Sequence, residues 1–272
     1  MKAIQTIIYA SCLLLSFSAY SQEQQPASST NIDAQAQAEV KSNQESVLAA
    51  QEKAAAATGL DPTQVIGRVE FNYSYTEKQN GTKRHSGILG IDKDISKTTV
   101  IGIKVPLSTA ELANGDEQNG IGDIQLQIRK LAFVKGKFIT SFGAGVTLDT
   151  ASEDQLGNNS NSVGAGMFNA WKHGEWLVAT ISAVNFSEDD NYNSISLSPM
   201  VAYQPMGDYV SYVRTALSYV YRTESEQSIT NAFINIGKVM PNKDVYSIGT
   251  KLNISGPDDD DFVVLLKYRR LF

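Results

Sequence analysis

The chain has 272 residues, with 23 Lys and Arg against 29 Asp and Glu, and a formal charge of -6. This acidic balance excludes a nucleic-acid-binding role, and the single cysteine excludes a disulfide framework. No run of about 18 apolar residues comes after the first segment, so no transmembrane helix is expected, and the mean hydropathy is slightly negative.

Residues 1–21 read as a secretory signal. Lys2 gives the positive start, Ile7 to Phe17 the apolar stretch, and Ala19-Tyr20-Ser21 a small-x-small cleavage site. Cys12 lies inside this stretch. A lipidation reading of Tyr9-Ala-Ser-Cys12 is opposed by Leu13-Leu14-Leu15, which continue the apolar run. Cleavage leaves about 250 residues, room for one barrel and an extension.

Residues 22–64 form a Gln/Ala-rich leader. Its composition predicts a helix over 33–58, with Asp33 as a cap and Gly59 at its end. Val40, Val47 and Ala54 recur every seven residues, a narrow apolar stripe. Such a helix suits a periplasmic leader, or a plug in the mouth of a barrel.

From residue 65 to 272 the pattern changes. Strand one, 65–76, alternates: Val69, Phe71, Tyr73 and Tyr75 share one face, and Arg68, Glu70, Asn72 and Ser74 the other. Further strands are predicted at 84–91, 98–108, 121–133, 137–149, 162–172, 175–187, 193–204, 209–222, 228–239, 244–255 and 262–272. Connections after even strands are short, such as His173-Gly174. Those after odd strands are longer and polar, such as Thr109–Gly120 and Thr150–Asn161. Twelve strands with alternating short and long connections predict an all-β fold, a closed antiparallel transmembrane β-barrel. Backbone in lipid must pair all its hydrogen bonds, and closure leaves no edge. The predicted location is the bacterial outer membrane, with both termini in the periplasm and lipid and lipopolysaccharide as surroundings. The last strand carries Tyr268 and stops on the aromatic Phe272, a pattern expected to serve as a signal to barrel-assembly machinery. The lipid-facing phase of 162–172, which is Gly-rich, and of 175–187, apolar on both faces, is not fixed by the pattern. Tyr73, Tyr75, Trp171, Trp176, Tyr203, Tyr209, Tyr219 and Tyr221 are candidates for aromatic girdles.

Three stretches carry a resemblance: Val105-Pro-Leu107, Gly120-Ile-Gly-Asp-Ile124, and Gly143-Ala-Gly-Val-Thr-Leu148 before Leu156-Gly157. Together they resemble the outer-membrane transporter family labelled as the MetA pathway of phenol degradation. Leu148-Asp-Thr-Ala151 stands where that family has Leu-Pro-Thr-Gly. The resemblance implies a barrel that passes or binds small, often apolar molecules, and no enzyme.

Catalysis is not expected from the residues either. His85 and Ser86 are neighbours on a strand and face opposite sides, and His173 sits in a tight turn. No cofactor or metal site is expected. The acidic runs Asp116-Glu117, Glu153-Asp154, Glu188–Asp190 and Asp258–Asp261 lie in the predicted outer loops. They suit solvated loops, or weak divalent-cation contacts to lipopolysaccharide.

The candidate functional residues point inward. The strand phase puts Arg68, Lys104, Arg129, Arg214, Lys251, Lys267 and Arg269 in the lumen, with Glu70 and Asp123 as the inward acids. Rings of Arg or Lys favour anions in pores. The expected function is passive passage of a small solute; the alternative is a structural or surface-interaction barrel with no open pore, its interior filled by paired charges.

Overall fold

A computed structural model describes residues 60–78, 81–188, 193–205, 207–256 and 260–272. The signal 1–21 and the predicted helix 33–58 lie outside the described residues. The strands are β1 (Arg68–Lys78), β2 (Lys83–Ser96), β3 (Thr99–Glu111), β4 (Glu117–Ile121), β5 (Ile124–Lys135), β6 (Phe138–Leu148), β7 (Ser162–His173), β8 (Trp176–Ser187), β9 (Ser194–Tyr203), β10 (Tyr212–Arg222), β11 (Gln227–Val239), β12 (Asp244–Ser255) and β13 (Asp260–Leu271).

Strands adjacent in the chain pair antiparallel, β4 and β5 excepted, and β1 pairs with β13 from Arg68↔Leu271 to Lys78↔Asp260. That seam closes the sheet. β4 and β5 both pair with β3, one beyond the other, and are two lengths of a single stave broken at Gly122-Asp123. Thirteen strands thus make the closed 12-stave barrel that the alternation predicts.

Several boundaries differ from the sequence reading, two of them by most of a predicted connection. The polar stretch 92–97, predicted as a turn, is mostly strand, because β2 runs on to Ser96. Asp92 faces the lumen, where Arg68 and Arg129 pair with it; a charged residue there has a partner, so it does not end the strand. Likewise, much of the predicted loop 109–120 is ladder, with Thr109↔Asn119 and Glu111↔Glu117 in register.

The short turns are tight. Gly136 and Gly174 have φ near +58°, the left-handed conformation that two-residue hairpins require and that glycine adopts without strain.

The outer surface is apolar. Phe71, Leu89, Ile103, Ile128, Phe142, Leu217, Ile234, Ile248 and Leu266 are all exposed. A band of this extent on nearly every stave is incompatible with water and matches a bilayer core. The structure fixes the two phases that the pattern leaves open. Val163 and Trp171 of β7, and Trp176, Val178 and Phe186 of β8, face outward. Leu177 and Ala179 are buried inside. Aromatic pairs collect near the short-turn end: Trp176 with Tyr203 at 4.9 Å between ring centroids, Tyr246 with Tyr268 at 5.2 Å, and Trp171 stacked on His173. This is a girdle at one membrane interface. Phe272 is exposed, and its backbone N–H donates to the Gly67 carbonyl at 3.1 Å. The protein is a closed β-barrel of the bacterial outer membrane.

A candidate lumen site

The inside of the wall is divided. On β1, β2, β5 and β13 it is charged. Glu70 is buried and accepts two hydrogen bonds from Arg269, at 2.7 and 2.9 Å, and one from Asn72 at 2.8 Å, and pairs with Lys267 at 3.0 Å. Asp92 takes Arg68 at 2.8 Å, Arg129 at 3.4 Å and the Gln127 amide at 2.8 Å. Buried carboxylates in so many charge-assisted bonds are held rigidly, since each partner removed leaves the rest uncompensated.

Arg68, Lys104, Arg129, Arg214, Lys267 and Arg269 line one cavity of about 500 Å³. Glu70 and Asp61 share that lining. The inward cations therefore outnumber the carboxylates. Arg129 also lies over the Phe168 ring, 5.6 Å from its centroid, a cation–π contact that reaches towards the opposite half of the wall. That half, on β6 to β9, is largely apolar, with Gly145, Gly164, Gly166, Ile181, Ala183 and Met200 on the lining and Thr147 and Asn185 as its polar members.

Two predicted lumen residues lie outside this cavity. Lys251 shares the inward face of β12, opposite Val263, but is not part of the cavity lining. Asp123 sits in the break between β4 and β5 and ties down the long β6–β7 connection. Its carboxylate accepts from the backbone N–H groups of Thr150 and Ala151, both at 3.3 Å, and of Asn158 at 2.7 Å. The Gly-x-Gly-Asp stretch makes that docking fit. A Cβ on Gly122 would stand 2.8 Å from the Leu156 carbonyl, and one on Gly157 2.6 Å from Asp123 Oδ1. Leu156 is buried, and its carbonyl accepts from Arg84 at 3.2 Å. The connection therefore folds onto the inner wall.

The cavity also holds residues that sequence reasoning does not place there. Leu60, Asp61 and Pro62, just ahead of β1, are part of its lining. Arg129 donates to the Pro62 carbonyl at 2.8 Å. Leu60 packs with Ala170, Leu177, Ala179, Met200, Ala202, Tyr212 and Val245, which sit near the short-turn end. Asp61 is buried; burial pushes its carboxyl above the usual range, against the pull of the Thr63 hydroxyl and amide, which donate at 2.6 and 2.8 Å. The only signal for this in the sequence is the end of the Ala-rich leader, which carries no charge pattern of its own.

The histidines stand apart. His85 contacts the Tyr73 hydroxyl at 2.7 Å, and His173 contacts Lys137 Nζ at 2.8 Å. Among the described residues no group of His, Cys, Asp or Glu is arranged to hold a metal ion.

No protein-family model matches the chain, and no curated protein does. Solved structures do. The COG4313 outer membrane channel from Pseudomonas putida F1 superposes with a TM-score of 0.63 at 16% identity, over 76% of this chain and 94% of that one. The KdgM porin, solved in complex with disordered oligogalacturonate, superposes with a TM-score of 0.52 at 8% identity, over 75% of this chain and 99% of that one. At these identities the likeness is one of fold.

Proposed function

We propose that the barrel is an outer-membrane channel for small solutes and that its lumen favours anions. One observation carries this reading: inward cations exceed inward carboxylates around a single cavity, and a low-dielectric wall strengthens the field of that excess. The fold it shares with an outer membrane channel, and with a porin solved with an oligogalacturonate, fits the same reading. So does the resemblance of the Val105-Pro-Leu107 and Gly120–Ile124 stretches to the phenol-degradation transporter family, which would add apolar solutes to the range. The same reading takes lipopolysaccharide as a neighbour of the outer loops and the barrel-assembly machinery as the reader of Tyr268 and Phe272.

A second reading is favoured by Leu60, whose packing inside the wall narrows the short-turn end: a barrel without an open pore. Reversal potentials in a planar bilayer across a tenfold KCl gradient separate the two. The channel reading expects a current whose reversal potential lies on the chloride side of zero. A reversal on the potassium side contradicts the anion preference, and no current at all returns the closed barrel.

A further inference from the structure

The two halves of the lumen wall differ in what they offer a solute. Of the six cations on the cavity, Arg68, Arg129, Lys267 and Arg269 are committed to Asp92 or Glu70. Lys104 and Arg214 have no ion-pair or hydrogen-bond partner among the described residues, and Arg214 Nε is fully buried without an acceptor. Two cations on a cavity wall with no counter-charge in contact are uncompensated in a low-dielectric interior, and an anion bound in the cavity would supply that counter-charge. The strand order sets Lys104, on β3, and Arg214, on β10, on opposite sides of the ring. Between them runs the largely apolar wall of β6 to β9, with Gly145, Gly164, Gly166, Ile181, Ala183 and Met200 on it and Thr147 and Asn185 as its polar members on the cavity. Glycines there have an energetic cost in strands, and their effect is to leave open space in the cavity beside Phe168, Ile181 and Met200. A cavity of about 500 Å³ lies within the size range of small-molecule sites.

Resting on the channel reading above, we propose that this cavity binds an organic anion with an apolar body, its carboxylate held by Lys104 or Arg214 and its hydrocarbon on the β6–β9 wall. A small inorganic anion would satisfy the cations and leave that wall wet. An organic cation would meet the positive side of the lumen. The site therefore distinguishes solutes by charge and by apolar surface together.

Equilibrium dialysis of the purified full chain in detergent, with radiolabelled cyclohexanecarboxylate as probe, tests this without requiring conduction. Saturable binding is expected, with acetate competing at least tenfold more weakly and cyclohexylammonium not competing. The double variant Lys104→Gln with Arg214→Gln should bind at least tenfold more weakly, its folding checked by heat-modifiable migration on gels. No saturable binding, equal competition by acetate, or competition by cyclohexylammonium overturns the site on the unaltered protein alone. Undiminished binding by the folded double variant overturns the roles of Lys104 and Arg214. A chloride-side reversal potential without probe binding removes this site and leaves the channel; a potassium-side reversal with probe binding removes the anion preference of the channel and leaves the site.

Discussion

Replacing Glu70 by glutamine should destabilise the barrel by about 3–5 kcal/mol, the range for breaking one side of a buried ion-pair network. Glu70 is 7% exposed. It is the shared acceptor of Arg269 and Lys267, which sit two residues apart on the inward face of β13. Glutamine keeps the size and an acceptor oxygen but removes the charge. Two cations then face each other in a low-dielectric interior, with Arg68 two residues away on the same face of β1. The loss is read as a fall in the temperature at which the heat-modifiable band converts to the unfolded form. A second change, Lys267→Met, should recover much of it by removing one of the stranded charges. A shift of less than about 1 kcal/mol would show that water reaches these groups freely and that the network is a surface one.

The second large effect is expected at Gly237. This glycine lies directly opposite Tyr212, and the tyrosine ring covers it. A Cβ there would overlap the ring carbons Cζ and Cε1. Tyr212 is 2% exposed and packs against Leu60, Ala202 and Val245, so the ring has no free space to turn into. Gly237→Ala should cost at least the ~1–3 kcal/mol typical of overpacking. Tyr212→Ala opens a cavity instead and should cost about 3–5 kcal/mol, as for other large aromatic side chains. Combined, the two changes should cost less than their separate effects together, because the alanine at 237 no longer meets a ring. Thermal conversion on gels for the four proteins gives the coupling. Additive losses would mean that ring and glycine are not in contact.

Much of this architecture is legible in the sequence because a strand in a membrane wall exposes each side chain to one of two extreme environments. Alternation in β1 alone separates Phe71 and Tyr73 from Arg68 and Glu70, and in the structure Phe71 is exposed and Glu70 buried. What alternation does not report is the partner of a charge. Asp92 reads as a turn residue because an aspartate in a strand is unfavourable unless paired, and its partners are Arg68, an adjacent strand away, and Arg129, 37 residues on. The phase of β7 is hidden because glycine is neither polar nor apolar in the pattern; only the neighbours Val163 and Trp171 reveal it once the ladder is known. Asp123 groups with the lumen acids because it sits in a strand-like stretch. Its backbone partners Thr150, Ala151 and Asn158 come from the other side of a hairpin, and no local spacing announces such a contact. The position of Leu60 inside the wall is least legible of all, since one leucine after an Ala-rich segment carries no periodicity.

Closure of the wall by β1 and β13 underlies every inward assignment, and a cross-link tests it directly. Thr76 and Val263 are register partners on that seam, from opposite ends of the barrel sequence. Their replacement by cysteine, with Cys12 the only native thiol and lying in the predicted signal, puts two thiols within the Cα separation that a disulfide spans. Oxidation of the folded protein in detergent should give an intramolecular bond in nearly every molecule, seen as a change in migration of the boiled, unreduced chain that a reductant reverses. Free thiols after oxidation of the folded form, or cross-links only between molecules, would mean that β1 and β13 are not neighbours and that the sheet is open.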